Sequence, residues 1–263
     1  VIDFQALAEA LPKSPVDLAV IVESLPQMLQ GMQLTVELTL ISLAIGFSCS
    51  IGLAMLRLSR HPVLWMPVYG FVFFFRGTPL LVQIFLIYYG SGQFRFQLMD
   101  LGLWVYFRDA YFCAVLTLTL NTAAYTTEIL RGAIRAVPHG EIEAARACGM
   151  SGSLLYRRII LPKAFRYALP AYSNEVVFLF QATSLVSIIT LMDLTGVART
   201  LVSKTFDVYE IFITAGLLYL AVTYAILGLF RRVEHRWSGH LRDRPDEAKR
   251  LRGPLAGIAT PML

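Results

Sequence analysis

Four side chains with hydrogen-bonding or ionisable groups, Thr117, Asn121, Tyr125 and Glu128, recur at spacings of four, four and three in an otherwise apolar stretch. On an α-helix that spacing puts them on one face. Asn174, Gln181 and Ser184 recur at seven and three, with Glu175 next to the first of them. Arg76 stands alone in an apolar run, beside Gly77 and Pro79. In water such groups would be unremarkable, but in hydrocarbon each must face protein or a wet cavity. Their chemistry is that of recognition. A guanidinium can hold a carboxylate, the carboxylates of Glu128 and Glu175 can meet an amine or a guanidinium, and the amides and hydroxyls can replace a polar solute's water. Two such stripes suggest either a wet path between neighbouring helices or interhelical hydrogen bonding. Arg76 either braces helices by pairing with Glu37 or Glu128, or belongs to a substrate or gate element at a helix broken by Gly77 and Pro79.

Catalysis leaves no comparable trace. No nucleophile stands in an arrangement with a base and an acid. His61 and His139 read as loop residues, and His235 and His240 as tail residues. Cys49, Cys113 and Cys148 have neither metal-ligand spacing nor the pattern of a disulfide framework. No Gly-x-x-x-x-Gly-Lys-Ser/Thr occurs, so the chain lacks the usual means of cradling ATP.

The elements that position these residues follow from composition. Of 263 residues, 56% are hydrophobic and 16% charged, against about 45–50% and ~25% in ordinary soluble domains. The mean hydropathy is +0.60. Disorder, a coiled coil and most soluble enzymes are excluded on that ground. Apolar runs long enough to cross a bilayer lie at about 32–56, 63–89, 111–130, 172–192 and 211–230. The reading is therefore an all-α integral membrane protein with five transmembrane helices. It has an extracytoplasmic N-terminal segment (1–31), a membrane domain (32–230) and a basic tail (231–263). Residues 17–30 are compatible with a short interfacial helix or a loop. Acidic Asp3 and Glu9 and the lack of a basic, apolar leader argue against a secretory signal.

The net charge of +5 gains meaning from its distribution. Lys13, Arg95, Arg108, Arg199 and Lys204 fall on one side of the five-span scheme and 17 of the 23 Lys and Arg on the other. This asymmetry orients the chain with its N-terminus outside and its C-terminus in the cytoplasm. It also makes the basic excess a topological signal at a lipid bilayer, not a nucleic-acid footprint.

Loop 131–170, on the basic side, is too long for a simple hairpin. Pro138 ends the preceding helix or its extension. Glu141 to Cys148 are mostly helix formers with an acid in the first turn. Gly149 stands where a C-terminal cap belongs, and Ser151 can cap a second short helix, Leu154 to Leu161, stopped by Pro162. Two short helices joined at a glycine would form a knob on the cytoplasmic face.

Glu143-Ala144-Ala145, three residues, Gly149, nine residues, Ile159, one residue, Leu161-Pro162 resembles the EAA motif of permease subunits of ATP-binding-cassette importers. Phe75-Arg76-Gly77-Thr78-Pro79-Leu80 resembles a segment of their polar amino acid branch. The stretch Leu118-Thr119-Leu120-Asn121-Thr122-Ala123-Ala124-Tyr125-Thr126-Thr127-Glu128-Ile129, followed by Val137-Pro138-His139-Gly140-Glu141, is most similar to histidine and opine permeases. The resemblance implies the type I importer permease fold in a bacterial inner membrane. It implies two ATP-binding subunits that hold ATP and Mg, a second homologous or identical permease, an extracytoplasmic binding protein and an amino acid substrate. It makes Glu143, Ala144, Ala145, Gly149, Met150, Ile159, Leu161 and Pro162 the expected ATPase-coupling residues. Arg76, Asn121, Tyr125, Glu128, Asn174, Glu175, Gln181 and Ser184 are the expected substrate path. The small Ala144 and Ala145 would let the ATPase approach closely. Histidine, other basic amino acids and opines are the preferred substrates; glutamine or glutamate, or an autonomous secondary carrier, are the alternatives.

Overall fold

The computed structural model describes residues 18–237, all helical or turn, with no strand among them. The N-terminal segment before residue 18 and the tail beyond 237 lie outside the described residues. The first helix, α1 (Leu18–Arg57), is 40 residues long, or about 60 Å at 1.5 Å per residue. The interfacial helix considered for 17–30 is thus the first part of α1, which continues through Pro26 into the first apolar run. Two buried hydroxyls of α1 are satisfied within the helix: Thr35 donates to the Gly31 carbonyl and Thr39 to that of Thr35.

The second apolar run is broken. Helix α2 (Pro62–Gly77) ends at Thr78, which has extended backbone angles, and α3 (Leu80–Tyr88) restarts after Pro79. The two helical stretches flanking the break lie 108° apart. A 3-10 turn (Gly90–Phe94) and two short helices, α4 (Arg95–Asp100) and α5 (Trp104–Phe107), lead to α6 (Ala110–Arg135). Asp109 caps α6 by accepting from the backbone N–H groups of Tyr111 and Phe112.

Among the described residues, three helical stretches are long and apolar enough to cross a bilayer: 19–57, 152–189 and 208–237; the broken pair qualifies if taken as one span. Helix α6 has the length but not the apolarity, and its position explains why. It is the central helix, packed against α1, α2, α3 and α9, and Thr117, Thr119, Thr122, Thr126 and Thr127 are all buried. A helix sheathed by protein need not resemble lipid. At the α1–α6 crossing a Cβ on Gly46 would come within 2.4 Å of the Thr122 methyl and 3.2 Å of the Thr119 carbonyl, so only glycine permits this approach.

After α6 come α7 (His139–Ala147), α8 (Gly152–Leu155), a π-helical turn (Tyr156–Ile160) and α9 (Leu161–Ala182), which runs into a 3-10 segment (Thr183–Ile189). The short helix expected to stop at Pro162 instead continues through it. The Leu161 N–H reaches back five residues to the Tyr156 carbonyl. The widened turn accommodates a ring that would otherwise collide with the backbone one turn earlier. Residues 193–210, read as a loop, contain α10 (Leu194–Thr205), and the chain ends its described part in α11 (Val208–Trp237). Buried Asp193 caps α10 through the N–H groups of Thr195 and Gly196, and Thr35 of α1 accepts from the Leu194 N–H.

Candidate coupling knob and intramembrane cleft

The knob is built on an amphipathic pattern. Ala145 of α7 is buried, whereas Glu143, Ala144, Arg146 and Ala147 are exposed. Ala145 joins a core with Ala54 of α1, Leu130 and Ala133 of α6, Val137, Leu155, Ile160, and Ala164 and Ala168 of α9. Met150 and Ile159 pack on its margin. Three long helices therefore share one apolar core with α7. Of the two alanines, only Ala144 offers its surface outward; Ala145 lets α7 sit close to its own bundle.

Gly149 sets the turn. It lies at φ +81°, the left-handed region that costs non-glycine residues about 1–2 kcal/mol. Its N–H donates to the Arg146 carbonyl (2.9 Å) and that of Met150 to the Ala145 carbonyl (3.0 Å). This is the Schellman arrangement that satisfies the last carbonyls of α7. Ser151 stands at the start of α8, but its side chain makes no capping bond. Lys163 pairs with Glu141, tying α9 to the first turn of α7.

A second site lies where α1, α2 and α6 meet, in a cleft of about 270 Å³ lined by Arg57, Tyr69, Phe73, Arg76 and Glu128, among others. Glu128 accepts from Arg131 at 2.5 Å and lies 3.4 Å from Arg57 Nε. The Arg57 guanidinium lies 5.5 Å from the Trp65 ring centroid and 4.8 Å from that of Tyr69. It thus binds the end of α1 to α2 and α6. Arg76 makes no ion pair among the described residues; it sits 5.2 Å from the ring centroid of Tyr125. Glu37, the other pairing considered for it, accepts from the Tyr111 hydroxyl at 2.7 Å.

The broken helix has its own brace. Gln83 of α3 is buried, and its amide nitrogen donates toward the carbonyls of Phe75 (2.8 Å) and Thr78 (3.0 Å) and the Thr78 hydroxyl (2.9 Å). Those carbonyls lost their helical donors at the break, and in hydrocarbon they need replacements. The Gln83 carbonyl in turn accepts from Asn121 (2.9 Å). Gln83 was not among the expected site residues. Its signal is an amide four residues after Pro79 in an otherwise apolar run.

The other expected residues separate. Thr117 donates to the Cys113 carbonyl within its own helix. Glu175 is buried, with the Thr122 hydroxyl and the Arg76 charge in its surroundings. Asn174 and Gln181 are exposed, Ser184 half-buried. Asn174 and Gln181 share an outward stripe of α9 with Ala171 and Phe178.

An all-helical bundle with apolar spans, one of them broken, and a knob packed onto its core is the architecture of an integral membrane protein. The model of binding-protein-dependent transport system inner membrane components matches residues 40–239, and the chain belongs to that family. It is 49% identical over 228 residues to the nopaline transport system permease protein NocM of Agrobacterium fabrum, covering 87% of this chain and 95% of that protein. It is 45% identical over 214 residues to the histidine/lysine/arginine/ornithine transport system permease protein HisM of Escherichia coli, covering 81% and 89%. A crystal structure of an amino acid ABC transporter with histidines superposes with a TM-score of 0.75 at 32% identity, covering 85% of this chain and all of that one. The fold is thus the type I importer permease fold expected from the EAA pattern.

Proposed function

We propose that this chain is the membrane-spanning subunit of an ATP-driven importer for basic amino acids, histidine or opines. The observation that carries the reading is the knob: residues 143–162 carry the full EAA spacing, and α7 presents Glu143 and Ala144 outward and shares a core with α1, α6 and α9. A push on α7 by an ATPase subunit would reach three long helices without passing through a flexible loop. ATP and Mg belong to two partner ATPases, because this chain has no P-loop of its own. An extracytoplasmic binding protein delivers the solute, and a second, homologous permease completes the path. The positive-inside asymmetry supports an N-terminus outside and the knob in the cytoplasm.

The substrate class rests on the relatives' names and on charge. Arg76, exposed and without an ion pair among the described residues, is available for a solute's carboxylate, whereas Glu175 is buried and Glu128 is already engaged by Arg57 and Arg131. Transport in proteoliposomes tests the reading. The chain with its permease partner, ATPases and binding protein should accumulate labelled histidine, arginine or opine only with ATP inside. Uptake by the purified chain alone would instead establish an autonomous carrier. Glutamine or glutamate uptake with no response to basic solutes would overturn the substrate class.

A further inference from the structure

A second cavity, about 480 Å³, lies between the start of α9 and the end of α11 and borders the knob at Leu161 and Pro162. Arg157, Arg166 and Arg236 line it together with Leu161, Phe165 and Trp237. No acidic residue is among its lining, and none of the three arginines forms an ion pair among the described residues. Three guanidiniums around one hollow make a positive patch without an internal counter-charge, which suits an anion. Arginine forks fit phosphate oxygens bidentately.

The surroundings indicate which phosphate. The cavity lies at the end of the bundle that carries the knob, the end that the positive-inside asymmetry assigns to the cytoplasmic side. Trp237 stands there as interfacial tryptophans do. From Phe165 an aromatic seam runs through Phe47, Tyr172 and Phe230, with ring centroids 6.4, 5.2 and 6.1 Å apart in turn. The seam continues beside α11, whose outward Leu217, Leu220, Tyr224 and Leu229 are exposed. A polar mouth with an apolar track beneath it matches a phosphate group attached to acyl chains better than a free ion.

We propose that this cavity binds the phosphate headgroup of an anionic phospholipid, with Arg157, Arg166 and Arg236 on the phosphate and the acyl chains along the seam. The site holds α9, the helix continuous with the knob, against α11. It is independent of the transported solute.

Native mass spectrometry of the full complex, loaded with phosphatidylglycerol or phosphatidylethanolamine, tests this. Phosphatidylglycerol should be retained preferentially. A basic residue near an anionic surface contributes about 1 kcal/mol, so each arginine removed should weaken retention about fivefold. The pair Arg157→Gln and Arg236→Gln changes two exposed side chains and leaves the packed Arg166 in place. The control pair Arg231→Gln and Arg232→Gln lies on the same helix outside the cavity and should leave retention unchanged. Equal retention by the cavity variant and the wild type would overturn the proposal. So would an equal loss in the control pair, which would mean general surface charge, or displacement of the lipid by inorganic phosphate, which would mean a free-anion site.

Discussion

Gln83 shows how much one amide can decide. It closes the carbonyls left by the break at Thr78-Pro79 and takes Asn121 as its own donor. Gln83→Leu keeps the volume and removes both functions. Unsatisfied buried carbonyls cost about 1–3 kcal/mol, so the variant should unfold in detergent at a clearly lower temperature, and the Asn121→Ala variant less so. An unchanged midpoint for Gln83→Leu would show that water replaces the brace. Glu128 makes a contrasting case. Its carboxylate serves Arg57 and Arg131, and hydrogen bonds to charged groups contribute about 1.5–3 kcal/mol. Glu128→Gln should therefore lower stability while leaving the KM for every basic substrate in place; a raised KM confined to cationic solutes would put Glu128 in the path instead. The polar residues were visible in the sequence because each interrupts an apolar run. Their partners were not, because Asn121 to Gln83 and Arg76 to Tyr125 are contacts across helices 38 and 49 positions apart in sequence.

Among elements, the knob is where residue spacing translates most directly into structure. Pro138, Gly149 and the helix between them stand as their chemistry requires, with Gly149 at φ +81°. A Cβ there would meet no atom within 4 Å, so the position demands glycine for its backbone and not for space. Gly149→Val should break the Schellman turn at a cost of about 1–2 kcal/mol and reduce co-purification of the ATPase. Gly149→Asn, which tolerates the left-handed region, should recover much of it. Equal ATPase recovery with the valine variant, at full transport, would refute the coupling role of this turn. Two features of the same region escaped the sequence pattern. Proline ordinarily ends a helix, and only the π turn before Pro162 allows α9 to continue into the knob's core. The length of 193–210 suited a loop, yet buried Asp193 and Thr35 of α1 together start a helix there.

At the scale of the whole molecule, burial is uneven among the helices. Helix α6 is sheathed, but α9 exposes Asn174 and Gln181 on either side of Phe178, which is 68% exposed. Exposed leucines facing lipid need no partner, whereas two amides exposed on a stretch long and apolar enough to cross a bilayer do. Under the proposed function, the stripe is the face expected to meet the second permease, with the solute path along the joint. Sequence spacing singled out these amides but not their direction, since a stripe alone does not tell outward from inward. Site-directed cross-linking decides it. With exposed Cys49 and Cys148 replaced by serine, Gln181→Cys and Phe178→Cys should cross-link to a cysteine on the corresponding helix of the partner permease. Leu229→Cys on α11, 60% exposed, should not. Substrate should protect Gln181→Cys from a polar thiol reagent more than Phe178→Cys. Cross-linking through α11 with none through α9 would move the partner to the opposite side of the bundle and take the proposed path with it.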